Sequence, residues 1–143
     1  MRTRTATYAD VSHYVYWNEA FSIARTSGSN LVEVHGTQLS VLRTLDGERT
    51  GYQGVVLQEP HSGDIIVAHR GTQPNDGRDV LTDIAMIVRR TNDQLDDAER
   101  LTEWAVRAAR REMVKRGSPV EVTVTGHSLG GTLAQLTAHR FGL

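Results

Sequence analysis

The residues best suited to chemistry in this 143-residue chain are Gly126, His127, Ser128, Leu129, Gly130 and Gly131, a Gly-x-Ser-x-Gly-Gly segment. The alternating run Val120-Glu121-Val122-Thr123-Val124-Thr125 precedes it, and Leu133, Ala134, Ala138 and Phe141 continue it at helical spacing. Strand, sharp turn and helix are therefore predicted, with a serine on the turn. A serine hydroxyl is a weak nucleophile until it is exposed and a base can reach it. The turn supplies the exposure, and Gly126 and Gly130 let strand and helix approach without Cβ clashes. The helix N-terminus points backbone N–H groups, chiefly that of Leu129, toward an oxygen that becomes negative when Ser128 attacks a carbonyl. Acyl transfer through a serine ester is the chemistry such an arrangement supports. The bland alternative is a small-residue turn carrying an idle serine.

The elements that must hold this serine follow from periodicity. A helix is predicted over 8–26, with Val11, Tyr14, Val15, Ala20, Ile23 and Ala24 on one face and Gly28 as its stop. Strands are predicted over 39–45 and 51–58, joined by a hairpin turn at Asp46-Gly47. A second turn covers 59–63, and the apolar run at 64–69 suits a buried strand. Residues 70–78 read as loop and 80–88 as a short apolar helix. A longer helix is predicted over 93–115, capped by Asn92 or Asp93, with Leu95, Ala98, Leu101, Ala105, Ala108 and Ala109 as its apolar stripe. Asp96, Asp97 and Glu99 near its start, and Arg110, Arg111, Lys115 and Arg116 near its end, suit the helix dipole. The first half is thus hairpin-like. The second alternates strand and helix, which implies parallel strands joined by a crossover.

Two blocks resemble a known family. Val124-Thr125-Gly126-His127-Ser128-Leu129-Gly130-Gly131-Thr132-Leu133-Ala134 is similar to the nucleophile elbow of the class 3 (fungal-type) lipases, which have the α/β-hydrolase fold. Ile66-Val67-Ala68-His69-Arg70-Gly71-Thr72, followed by Asp79-Val80-Leu81-Thr82-Asp83-Ile84, is similar to that family's strand and oxyanion loop. The resemblance covers roughly residues 50–143. It implies an α/β class with a partial α/β-hydrolase fold, and a serine hydrolase acting on lipid esters with no cofactor. Ser128 would be the nucleophile, Thr72 and Leu129 the oxyanion-hole donors, and Gly126, His127 and Gly130 the support of the elbow. Thr72 also reads as a loop residue capping a turn, and Asp83 either orients the oxyanion loop or is a helix-surface carboxylate. The chain departs from the family pattern at His69, where Phe is usual, and at Val80, where Trp is usual.

A triad of this kind runs Ser, then Asp or Glu, then His. No acidic residue follows Ser128, and His139 lies ~16 Å along the elbow helix, out of reach. Of the upstream histidines, His127 is expected to pack beneath the turn and His13, His35 and His61 have no supporting context, which leaves His69 as the best remaining base. The simpler expectation is that residues 1–143 form a single, incomplete domain, the N-terminal part of a larger hydrolase that turns over weakly or not at all as it stands. One edge of the elbow strand would then be open to self-association.

Composition narrows the partners. A net charge of −1 excludes general nucleic-acid binding, which needs a basic face. The absence of cysteine removes disulfides and thiolate metal sites, and His61 and His69 lack a third ligand nearby. No signal peptide or membrane-span pattern is present, so a cytoplasmic location is expected, with secretion by a non-classical route and transient contact with a membrane surface left open. Two other readings stay open: an acyltransferase, because Gly-His-Ser-Leu-Gly also resembles malonyl-type acyltransferases, and a non-catalytic module that keeps the elbow as a relic.

Overall fold

Alternation of apolar and polar residues over 31–58 builds an antiparallel meander, and two longer helical stretches then cover one of its faces. The computed structural model describes residues 31–34, 36–47, 49–70, 84–126 and 129–143. The helix predicted over 8–26 lies outside them. Strands β1 (Leu31–Val34), β2 (Thr37–Gly47), β3 (Tyr52–Gln58) and β4 (Ile65–Arg70) are followed by helix α1 (Ile84–Arg116), strand β5 (Val122–Gly126) and helix α2 (Leu129–Phe141). The sheet order is β1-β2-β3-β4-β5, antiparallel through β4 and parallel between β4 and β5. The predicted crossover is therefore present, with α1 inside it.

Two local expectations are corrected and one strand is added. Leu31–Val34 is a strand that periodicity does not predict, although its exposed–buried alternation is that of a half-covered strand. The first hairpin does not turn at Asp46-Gly47: both residues pair with β3, and the chain reverses between Gly47 and Tyr52. There Gly51 at φ 77° takes the left-handed conformation, and its N–H donates to the Gly47 carbonyl. The helix predicted over 80–88, described from Ile84 onward, and that predicted over 93–115 are one helix, uncapped at Asn92 and Asp93. Asn and Asp cost only a few tenths of a kcal/mol inside a helix, and the buried series Thr91, Gln94, Ala98, Leu101, Thr102, Ala105, Ala108 and Ala109 runs straight through them. The acidic residues at 96–99 therefore lie mid-helix, while Lys115 and Arg116 do occupy the last turn.

The sheet has two apolar faces. Val32, Val34, Leu39, Val41, Val55, Leu57, Ile66 and Ala68 form one buried cluster. Tyr52, Val56, Ile65 and Val67 point the other way, against Ala98, Leu101, Ala105, Ala108 and Ala109 of α1 and Leu133 of α2. A bulge between Val41 and Arg43 shifts the register of β2 on β3. It carries Arg43 to the helix face, 5.3 Å from the Trp104 ring of α1.

Polar contacts fix where the parallel pair begins. Asp64 is buried, and its Oδ1 accepts the Glu121 N–H at 3.0 Å, while the Ile65 N–H donates to the Glu121 carbonyl at 2.8 Å. The Arg116 guanidinium, paired with Glu112, donates to the Pro60 and His61 carbonyls and so ties the end of α1 to the 59–63 turn. Removing the Asp64 carboxylate takes away the hydrogen bond by which this buried side chain holds the Glu121 N–H, and a hydrogen bond to a charged group contributes about 1.5–3 kcal/mol. Asp64→Ala is accordingly expected to lower the thermal midpoint by several degrees, and Asp64→Asn, which keeps an acceptor oxygen, to lower it much less. Equal midpoints for the two variants in a calorimetric scan would contradict this role.

Candidate active site

The parallel pair sets the geometry of the candidate site. Val67 pairs with Val124, Ala68 with Thr125 and His69 with Gly126, so β4 and β5 end side by side at their carboxyl ends. In parallel α/β sheets this is the edge outside which ligands bind. Thr72 follows the last residue of β4 by two positions, and Ser128 follows the last residue of β5 by two. Thr72, Asp83, His127 and Ser128 themselves lie outside the described residues. Leu129 is described: it opens α2 and is buried, and the N–H groups of a helix's first turn have no acceptor within the helix.

Glycines let the elbow helix sit where it does. A Cβ on Gly126 would collide with the carbonyl group of Gly130, and a Cβ on Gly130 would collide with the carbonyl oxygen of His69 and lie 3.2 Å from Arg70 Cα. Both obstacles are backbone, so no rotamer change relieves them. Gly131 is less constrained, its nearest neighbour being the Gly126 oxygen at 3.2 Å. At these two glycines α2 packs backbone on backbone against the ends of both strands.

His69, the best upstream candidate for a base, is ruled out by its surroundings. Its ring lies on the helix face of β4, fully buried. Nδ1 is 2.6 Å from Tyr52 Oη, and Nε2 is 3.1 Å from Thr137 Oγ1 and 3.3 Å from Thr102 Oγ1. Both nitrogens are engaged within the core, and burial lowers the ring's pKa from the ordinary 6.5 to about 3. A general base near neutral pH needs a free nitrogen facing the substrate, and His69 has none. Burial, with a smaller contribution from the Asp97 charge, likewise raises the Tyr52 phenol well above its usual value, so it stays protonated. His61 sits in the turn before β4, at the opposite end of that strand from Gly126, and His139 is exposed in the last turn of α2. No motif marks Tyr52, Thr102 or Thr137. Their only sequence signal is that the two threonines fall on the buried phase of their helices.

A cleft of about 540 Å³ lies at the amino ends of the strands, lined by His61, Asp64, Arg116 and Glu121 among others. It is remote from the elbow, and Asp64 and Arg116 are already committed to holding the start of the parallel pair and the 59–63 turn. Among the described residues no cluster of His, Cys, Asp or Glu could hold a metal ion, and no helix is long and apolar enough to cross a membrane.

A family model described as Lipase (class 3) matches residues 66–142, from β4 to the end of α2. Among solved structures, lipase II from Rhizopus niveus superposes with a TM-score of 0.60 at 18% identity, over 94% of this chain and 53% of that one. The lipase from Rhizopus microsporus var. chinensis gives a TM-score of 0.60 at 19% identity, over 95% of this chain and 49% of that one. The chain therefore spans about half the length of these lipases and shares their fold over that half. No curated protein matches it.

The glycine contacts and the buried imidazole each have a measurable consequence. Alanine is favoured over glycine inside a helix by about 1 kcal/mol, yet overpacking against rigid neighbours costs about 1–3 kcal/mol. Gly130→Ala is expected to destabilise and Gly131→Ala to be close to neutral in denaturant titrations, and the reverse order would contradict the packing described. As pH falls below 6.5 the unfolded state binds the His69 proton before the folded state does, whose ring resists protonation until about pH 3. The contribution of the neutral ring is whole above pH 6.5 and is lost between there and about pH 3. Relative to His69→Gln, the native protein should lose about 1.4 kcal/mol of stability per pH unit in that window. Parallel urea curves for the two proteins from pH 7 to pH 4, with a constant stability gap, would contradict it.

Proposed function

The chain belongs to the class 3 lipase family, and from that premise we propose that it carries the nucleophile and the oxyanion hole of a serine hydrolase acting on carboxylic esters of lipids. Ser128 Oγ attacks the ester carbonyl as a base removes its proton. The carbonyl oxygen, now negative, accepts the backbone N–H groups of Leu129 and Thr72. Collapse of the adduct expels the alcohol, which takes up the proton, and water then releases the acyl group from Ser128 by the same route in reverse order. Donors of this kind each contribute ~3–4 kcal/mol to the transition state. His127 belongs to the support of the elbow, beside Gly126 and Gly130.

The observation that carries this reading is the His69–Gly126 pairing, which starts the segment bearing Thr72 and the segment bearing Ser128 about one strand spacing apart, ~5 Å. The glycine-only contacts of Gly126 and Gly130 support it further, because they seat a helix N-terminus at that same edge. The base and its acid lie outside residues 1–143 in this reading. The buried His69 and the His61 and His139 positions offer no alternative among the described residues, and the chain spans only about half of the Rhizopus lipases it matches.

The test is hydrolysis of p-nitrophenyl esters by the full-length protein and by the 143-residue chain. The full-length protein should be active and lose at least about 10³-fold in kcat on Ser128→Ala, and the 143-residue chain should be far slower. Undiminished turnover in Ser128→Ala would refute the nucleophile, and equal rates for both lengths would refute the location of the base and acid.

A further inference from the structure

The Tyr52–His69–Thr102–Thr137 cluster is a fully buried polar network between the sheet and its helices, and it joins four elements: β3, β4, α1 and α2. Its proton positions can be assigned. Thr102 Oγ1 lies 2.8 Å from the Ala98 carbonyl, and Thr137 Oγ1 lies 2.9 Å from the Leu133 carbonyl, so each hydroxyl donates its hydrogen to its own helix. What both oxygens turn toward His69 is lone pairs. His69 Nε2 must therefore carry the ring hydrogen, which leaves Nδ1 as an acceptor for the Tyr52 hydroxyl. The Tyr52 hydroxyl reaches that place because Gly54, on the same face of β3, has no side chain to obstruct it.

The same residue also touches α2 through its backbone. Gly130, in the first turn of α2, rests on the His69 carbonyl. Thr137, seven residues on and so about two turns or ~10 Å further along the same face, meets the His69 ring. Two contacts that far apart fix both the position and the tilt of α2 against β4. In the proposed hydrolase, on which this role for His69 rests, α2 comes directly after the nucleophile and β4 leads to the second oxyanion donor.

We propose that His69 is a positioning residue for ester hydrolysis, holding the elbow helix in register with the oxyanion strand through its Nε2–H bond to Thr137. Packing alone would let α2 slide or rock on small side chains such as Ala134, whereas a directional bond between buried groups permits one seating. A displacement on the order of 1 Å at the reacting centre is enough to cost about 10²-fold in rate.

Side-chain amides separate the two halves of the ring. The amide of His69→Gln reaches the position of Nε2 and can still donate to Thr137. That of His69→Asn reaches only the position of Nδ1, keeping Tyr52 and losing α2. In the full-length protein, with kinetics measured well below each variant's melting temperature, His69→Asn and Thr137→Val should lower kcat by roughly 10- to 100-fold with KM little changed. His69→Gln should retain most of kcat, and combining His69→Asn with Thr137→Val should add no further loss. Thr137→Val serves alone if His69→Asn fails to fold. Wild-type kcat in Thr137→Val, or equal loss in the Asn and Gln variants, overturns the proposal. So does a ¹⁵N spectrum showing the proton of His69 on Nδ1. An Nε2–H ring in a protein without Ser128-dependent turnover overturns the catalytic reading, and the positioning role with it, whereas normal Ser128-dependent turnover unaffected by His69→Asn overturns the positioning role alone.

Discussion

The contact on which the rest of this structure depends is the seating of Gly130 on the backbone of β4, with Gly126 held under the Gly130 carbonyl. Only two residues separate the end of β5 at Gly126 from the start of α2 at Leu129, and strand and helix leave almost no space between them. Side chains cannot fill that space, so backbone must meet backbone. Everything at the carboxyl edge of the sheet follows from that approach. The α2 axis is set close to β4 and β5, and its first-turn N–H groups, which have no acceptor within the helix, are brought to the edge where both strands end. A helix one side chain further away would place the same groups beyond reach of an oxyanion beside the strands.

Close approach by itself leaves a helix free to slide, because glycine and alanine surfaces are smooth. Here the core beneath α2 supplies direction. The imidazole of His69 is a costly group to bury, and it is tolerated because each nitrogen has a partner of the complementary kind. The residue is held neutral by that burial, which removes it from acid–base chemistry. A histidine with engaged nitrogens in the core and one with a free nitrogen in a cleft thus have opposite uses, although a sequence writes them alike.

Much of this architecture is legible in the residues. The alternation over 120–125, the glycines of the elbow and the helical spacing after Leu129 specify strand, turn and helix, and the glycine contacts give those positions their steric reason. The apolar run before His69 marks β4, and a helix between two such strands implies the parallel crossover. What is not legible depends on tertiary context. Asn92-Asp93 has the chemistry of a helix cap, but the buried series from Thr91 to Leu101 continues α1 through it. Asp46-Gly47 is a strong local turn signal, but pairing with Tyr52 and Gln53 moves the turn onward. The partners of His69 come from three separate elements at sequence separations that no local pattern connects, so a ring that looks available in the sequence is enclosed in the fold.

The central claim is that Ser128 is the reacting nucleophile at this edge. Its most direct measurement is labelling of the full-length protein with a fluorophosphonate, followed by peptide mapping by mass spectrometry. The account predicts a single covalent adduct, on Ser128, formed at a rate that falls in parallel with esterase activity as the label accumulates. An adduct on another residue, or full inactivation with Ser128 unmodified, would contradict it.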